Sequence, residues 1–347
     1  MDPTAVDPPA TPAAIAGPGY ARGVGLATLD AQGNVLEAWF PAPRVIQAPV
    51  GAVESDDTPA ERAMRADLAP LVAQDPRRDT RRVVVTVAAD LDTPPVDVAD
   101  AYLRLHLLSS RLVVPHGLNL DGLFSLLPTV VWTTRGPCAA DGFEQTRLRL
   151  AADGPVHVLG VDKFPAMVDY VVPTGVRVAD GARVRLGAYL AAGTTVMHEG
   201  FVNVNAGTLG PCMIEGRISA GVVVDAGSDI GGGASIMGTL SGGGRHTIRI
   251  GRECLVGANA GIGISLGDGC VVEAGLYVTA GTKVRRPDGT VVPARQLSGS
   301  EGLLFRRHSQ SGAVEVLRRS SAGAWDGLNP SLHASPVSGT PDPPQPG

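Results

Sequence analysis

Val172 to Val202 reads VPTGVRVADGARVRLGAYLAAGTTVMHEGFV, and an aliphatic residue closes every sixth position: Val172, Val178, Val184, Leu190, Val196 and Val202. The same step returns at Val224, Ile230 and Ile236, at Ile250, Val256 and Ile262, and at Leu266, Val272, Val278 and Val284. Small residues follow four positions behind, as at Ala182, Ala188, Thr194, Gly200, Ala206, Ser228, Ala234, Cys254, Ala260, Cys270 and Thr282. A period of six fits neither a helix nor a heptad. It is three times the strand period of two, so every sixth side chain points inward from an equivalent place. The solution this dictates is a parallel β-helix of hexapeptide repeats. Three hexads make one triangular coil, and coils stack about 4.8 Å apart through backbone hydrogen bonds. Glycine, at 45 of 347 residues against a usual share of about 7%, supplies the corners. The low aromatic content, 4%, suits thin aliphatic layers.

The breaks in the pattern carry as much information. The step shortens to four from Ile214 to Ile218 and again from Ile262 to Leu266. Between Ile236 and Ile250 the chain spends 14 residues, including Gly238 to Gly244 (GTLSGGG). Hexads have no room for this segment, so a protruding loop is expected at 237–249, and such excursions are where sites tend to be built.

Ahead of the repeats, residues 20–170 read as a mixed α/β domain. Val24 to Phe40 is a hairpin around Ala31-Gln32-Gly33-Asn34. Arg82–Ala88 and Val130–Thr134 read as strands, and Val96–Leu112 as a helix starting at Asp97. The fold expected is mainly β: a left-handed parallel β-helix over 171–286, preceded by the α/β domain and followed by an extension at 287–320. Residues 1–19 and 321–347, rich in Pro, Ala, Ser and Gly, are expected to be disordered tails.

Charge and cysteine content exclude several functions. Lys+Arg is 29 and Asp+Glu 34, a net charge of -5, which argues against a nucleic-acid binder. Four cysteines without a CxxC pair, Cys138, Cys212, Cys254 and Cys270, read as reduced thiols rather than disulfides or a metal knuckle. No apolar run reaches the roughly 18 residues of a membrane span, and the N-terminus lacks a signal pattern. A cytoplasmic protein is expected.

Longer motifs narrow the chemistry. Met213-Ile214-Glu215-Gly216-Arg217-Ile218-Ser219, Gly231 to Gly244 (GGGASIMGTLSGGG) and Glu273 to Gly281 (EAGLYVTAG) stand in this order. With Val161-Asp162-Lys163-Phe164-Pro165, Met197 to Asn203 (MHEGFVN) and Leu303 to Arg307 (LLFRR), they resemble the tetrahydrodipicolinate N-succinyltransferase family, most closely its actinobacterial-type branch. The resemblance runs from about residue 20 to 320 and implies an acyltransferase. It would move the succinyl group of succinyl-CoA onto the amine of ring-opened tetrahydrodipicolinate in diaminopimelate and lysine biosynthesis. The chemistry calls for a base, oxyanion donors and cations for carboxylates.

Glu215 matches the family's catalytic glutamate, as general base or as the carrier of an acyl anhydride. Arg217 would neutralise a carboxylate, the alternative being an ion pair with Glu215. Gly232 and Ser235 would donate to the acyl group. Ala258, Glu273, Ala274 and Gly281 match positions along the pantetheine arm, and Arg306, Arg307, His308 and Ser309 would meet the CoA phosphates. The resemblance also implies a homotrimer with sites between subunits acting on small molecules. No tightly bound cofactor is expected beyond a structural Mg2+ on the trimer axis at Glu199, where the companion carboxylate position is Ala182. Two alternatives stay open: another CoA-dependent hexapeptide acyltransferase with His198 or His246 as base, and a non-enzymatic β-helical scaffold. A zinc hydratase is excluded, because the seven histidines hold no close pair within the repeats.

Overall fold

The structure is a computed structural model and describes residues 19–46, 57–238 and 247–319. Apart from Gly19, the tails expected to be disordered lie outside the described residues, as do positions 239–246 of the expected loop and His246 with them.

The N-terminal part begins with β1 (Tyr20–Leu29), β2 (Val35–Trp39) and β3 (Arg44–Ile46). The β1–β2 turn lies where the sequence places it, with the Asp30 carboxylate accepting from the backbone N–H groups of Gln32 and Asn34. Helix α1 (Pro59–Leu68) opens on a capping box in which Thr58 and Glu61 satisfy each other's backbone N–H groups. Strands β4 (Gln74–Asp75) and β5 (Thr80–Asp90) complete a sheet ordered β2-β1-β5-β4, with β3 on β1. Helix α2 (Val98–Ser109) starts at Asp97, whose side chain caps the Asp100 N–H. The spacing predicts this helix with Asp97 at its start, and it ends at Ser109, before the expected Leu112. The short α3 (Leu123–Leu126) follows. Strands β6 (Val130–Thr133) and β7 (Gly136–Ala139), helix α4 (Phe143–Ala151) and strand β8 (Val158–Asp162) then form a smaller antiparallel sheet, β7-β6-β8, with its helix.

From Arg177 onward the chain visits three sheets in rotation. One stacks Tyr189–Leu190, Gly207–Thr208, Val223–Val224 and Arg249–Ile250. The second stacks Arg177–Val178, Thr195–Val196, Met213–Ile214, Asp229–Ile230, Leu255–Val256 and Val271–Val272. The third stacks Phe201–Val202, Arg217–Ile218, Ser235–Ile236, Gly261–Gly263 and Tyr277–Thr279. Every pairing is parallel, so the three faces close into coils, as the six-residue period requires. The hexad aliphatics from Val184 to Val284 form one core and are almost wholly buried. Val172 departs from the expectation: it is 78% exposed, because it precedes the first coil and has no stacked neighbour below. Ala182 is likewise exposed, on a single helical turn at Gly181–Arg183.

Both phase slips are real features of the coil. Ile214 and Ile218 are paired into adjacent sheets despite the four-residue step, and Ile250 bridges Leu266 across the second. The long excursion leaves and rejoins at neighbouring points, where the Ile248 N–H donates to the Gly238 carbonyl at 3.3 Å. Strand Leu303–Arg307 adds in parallel to Val271–Val272 and then pairs antiparallel with Val314–Arg318, so a hairpin caps the end of the second sheet.

Helix α2 joins the two parts. The Ser109 hydroxyl donates to the Ala188 carbonyl at 3.0 Å and accepts from the Gly187 N–H at 2.8 Å, while Leu186 and Val204 belong to the same apolar cluster as α2. Gly187 has φ +94°, and a Cβ there would run into Leu105 and Val204, so only glycine lets the helix sit this close. All four cysteines are free and buried.

Candidate active site

Stacking gathers the candidate residues into two neighbouring columns. The Met197, Glu215, Gly231, Gly257 and Glu273 N–H groups donate in turn to Ile214, Ile230, Val256, Val272 and Phe305 carbonyls. This ladder and its register set Glu199, Glu215, Gly231 and Gly232, Gly257 and Ala258, Glu273 and Ala274, and then Arg306 and Arg307 along one edge of the prism. A Cβ on Gly232 would lie 3.4 Å from Glu215 Oε2 and 3.9 Å from Glu199 Oε2, so both carboxylates face the same bare stretch of backbone. Gly257 would meet the Ala274 backbone in the same way. Successive coils therefore leave a smooth, side-chain-poor track above Glu215.

The second column lies on the adjoining face: Phe201, Arg217, Ser235, Gly261 and Tyr277 are in register. Of the two partners considered for Arg217, the structure supplies neither Glu215 nor a free position. Its Nε and Nη2 donate to the Ser235 hydroxyl at 3.1 and 2.6 Å. That bond aims the guanidinium along the face while leaving further N–H groups unspent.

Between the columns opens a cleft of about 650 Å3, lined by Arg183, Glu199, Phe201, Gly216, Arg217, Gly233, Ala234, Ser235 and Tyr277. Arg183, Phe201 and Tyr277 escape the sequence reading. The signal was there, since Phe201 and Tyr277 occupy the outward hexad position just before an inward aliphatic, and an aromatic there has no core to enter. Tyr277, 53% exposed, lies over Gly261, where any Cβ would overlap its ring.

Further along the edge, Glu273 Oε2 accepts from the Arg307 N–H at 2.7 Å, which ties the end of the track to the hairpin. The Arg306 Nε donates to Glu315 at 2.8 Å, because the two are cross-strand partners in the hairpin. The Arg307 side chain reaches the Gly312 carbonyl at 3.2 Å. His308 Nδ1 lies 3.0 Å from the Ser311 hydroxyl, and Ser309 is exposed in the same turn. Gly281 lies off both columns, in the turn after Tyr277–Thr279. Among the described residues no three His, Cys, Asp or Glu side chains converge as a metal site. Glu199 is exposed and Ala182 contributes no oxygen, so one chain alone does not fit a cation there.

Comparison with known proteins follows the same lines. Residues 127–166 match the family model for the middle part of tetrahydrodipicolinate N-succinyltransferase, and residues 247–280 the model for the hexapeptide repeat of succinyl-transferases. The chain is 48% identical over 340 residues to a 2,3,4,5-tetrahydropyridine-2,6-dicarboxylate N-succinyltransferase of Vibrio cholerae, covering 90% of this chain and 98% of the relative. It is 59% identical over 260 residues to the protein of the same name in Pseudomonas aeruginosa, covering 73% and 74%. Among solved structures, a candidate 2,3,4,5-tetrahydropyridine-2-carboxylate N-succinyltransferase of Campylobacter jejuni superposes with a TM-score of 0.73 at 30% identity, covering 88% of this chain and 93% of that one. The motifs, the coil that stacks them and the near full-length match to the Vibrio protein agree, and the chain belongs to the tetrahydrodipicolinate N-succinyltransferase family.

Proposed function

We propose that the chain moves the succinyl group of succinyl-CoA onto the amine of ring-opened tetrahydrodipicolinate, giving N-succinyl-2-amino-6-oxopimelate and CoA in diaminopimelate and lysine biosynthesis. The observation that carries this reading is the single edge bearing Glu199, Glu215, Gly232, Ala258, Ala274 and Arg307, beside the cleft that holds Arg217 and Ser235. The bare track suits a slender pantetheine arm. Its far end, at Arg306, Arg307, His308 and Ser309, suits the phosphates, where a phosphate on Arg306 competes with Glu315. At the near end the amine nitrogen attacks the thioester carbonyl, the new C–N bond forms, and the C–S bond breaks. Glu215 takes the amine proton and returns it to the departing thiolate. Gly232 and Ser235 offer donors to the carbonyl oxygen, and Arg217 offers its unspent N–H groups to a carboxylate. In the second route Glu215 attacks first, and the amine opens the resulting anhydride.

The finer architecture belongs to the same reading: a left-handed coil over 171–286, an N-terminal domain at 20–170, an extension at 287–320, and a cytoplasmic homotrimer. The open flank of the cleft beside Tyr277 supports sites completed by a neighbouring subunit. An axial Mg2+ would take Glu199 from each of three chains and serve assembly alone.

The deciding measurement is CoA release from succinyl-CoA with and without acceptor, for wild type and Glu215→Ala. Acceptor-dependent release that falls by roughly 10²–10⁴ in the variant supports the reading. A burst of CoA without acceptor selects the anhydride route. Equal release by both proteins moves catalysis to another group, His198 first, and a preference for acetyl-CoA favours a different hexapeptide acyltransferase. No release by either protein favours the scaffold.

A further inference from the structure

Away from the transfer cleft, the N-terminal part carries a half-open cavity of about 450 Å3. One wall is a row running across three strands. Glu37 on β2 is paired with Thr28 on β1, and Thr28 with Arg82 on β5, so the three side chains share one face of the sheet. The facing wall is the β6–β7 hairpin from Trp132 to Pro137, and Asp169 and Tyr170 also line the space.

The groups in this cavity are unevenly satisfied. Glu37 is buried, accepts a hydrogen bond from the Thr28 hydroxyl, and forms no ion pair among the described residues. Burial pushes its carboxyl upward, against hydrogen bonds from Thr28 and Tyr170 and the fields of Arg78 and Arg82. Asp169 is exposed at the rim, and partial desolvation raises its carboxyl. Two of the three guanidiniums are committed. Arg78 donates to Asp75 at 2.6 Å and to the Pro137 carbonyl at 3.1 Å, and Arg135 donates to the Asp153 carbonyl at 2.9 Å. The half-buried Arg82 guanidinium has neither hydrogen bond nor ion pair among the described residues. The aromatic walls are rigid, because the Trp39 indole N–H donates to the Tyr170 carbonyl at 3.2 Å and that of Trp132 to the Asp162 carbonyl at 3.0 Å.

Among the described residues, then, a buried carboxylate held only by hydroxyl donors and a half-buried guanidinium without an anion lie across one strand from each other, and charges removed from water favour a partner of opposite sign. Both are satisfied together by a molecule carrying one charge of each sign. We propose that this cavity binds a small α-amino acid, with its ammonium at Glu37 and Asp169, its carboxylate at Arg82, and its side chain between Trp39, Trp132 and Leu159. The site is separate from the transfer reading and stands whether or not that reading holds.

Tryptophan emission reports on it directly. The chain has three tryptophans; two line the cavity and Trp325 lies outside the described residues, so the background is Trp325→Phe in the full chain. Titration with L-norleucine should give a saturable change in emission. Hexanoate, which lacks the ammonium, and pentylamine, which lacks the carboxylate, should each bind at least about tenfold more weakly, ~1.4 kcal/mol. Glu37→Gln, which keeps the Thr28 hydrogen bond, should erase the preference over hexanoate, and Arg82→Gln the preference over pentylamine, with circular dichroism showing both folded. Norleucine that neither changes emission nor takes up saturation transfer from the protein in NMR overturns the proposal. So does hexanoate binding as tightly as norleucine, or unchanged selectivity in both variants.

Discussion

The coil and the N-terminal part solve the burial problem in opposite ways. The coil's interior is a stack of aliphatic side chains with a few hydroxyls and thiols at the corners, and each layer repeats the one below. The N-terminal part buries titratable side chains: Arg104, Asp100, Glu61, Glu37 and His106 are all within 8% of full burial. Arg104 alone holds Asp100 at 2.8 Å and the carbonyls of Asp90, Thr93 and Asn119 at 2.8, 2.7 and 2.9 Å. A repeating fold gains its specificity from register, and the one charged side chain it buries among the described residues, Asp225, lies at its margin against the exposed Arg249. An irregular α/β layer has no repeat to align it, and directional polar contacts set its loops in place.

The contrast is open to test, starting with its largest consequence. Arg104→Leu strands Asp100 and three carbonyls, and should destabilise the protein by about 3–5 kcal/mol, read as a shift in the urea unfolding midpoint. In the coil, Ile262→Val should cost only about 0.5–1.5 kcal/mol; a larger loss there than at Arg104 would reverse the comparison.

Acid should act on the N-terminal part. Burial holds His106 at about 4, despite its hydrogen bond to the Tyr102 carbonyl. The folded state therefore binds fewer protons than the unfolded chain as pH falls from 6.5 towards 4, and stability drops across that window by up to about 1.4 kcal/mol per pH unit. Glu61 adds to this at lower pH. Burial raises its carboxyl, but hydrogen bonds from Thr58 and Arg44 with the field of Arg22 carry it down to about 2, so its contribution is lost between 4.5 and 2. Hydrogen exchange as a function of pH should show the amides of α2 losing protection ahead of those in the coil. Uniform loss would mean the two parts unfold as one unit.

The smallest expected effect lies in the cleft. Ser235→Ala removes the only hydroxyl holding Arg217 in the described structure, and should lower kcat/KM by about three- to tenfold, the net worth of a typical hydrogen bond at an exposed site. Its unfolding midpoint should stay at the wild-type value.

Legibility in the sequence follows the same divide. Hexads announce the coil because each inward residue repeats at fixed spacing, and the Asp97 cap announces α2 because capping is local. Helices α1 and α4 carry no such signal, for their apolar stripes are short and charged residues surround them: only Glu61 and Leu68 are buried in α1. Motif matches located Glu215, Arg217 and Ser235 but not their geometry. Arg217 meets Ser235 across one stacked coil, and Glu273 meets Arg307 across the hairpin that caps the stack. The first separation is 18 residues, one coil of three hexads, and follows from the period; the second is 34 residues, no multiple of six, because the chain leaves the coils between the two.

What the amino-acid sequence determined alone is therefore the coil, its inward residues and the motifs on its corners, since those depend only on a period and on local chemistry. What the tertiary structure decided is which corners face one another: the edge that aligns Glu199, Glu215 and Glu273, the pairing of Arg306 with Glu315, and the row of Glu37, Thr28 and Arg82. Those contacts arise from stacking and strand register, which bring residues together through backbone hydrogen bonds that carry no side-chain signature.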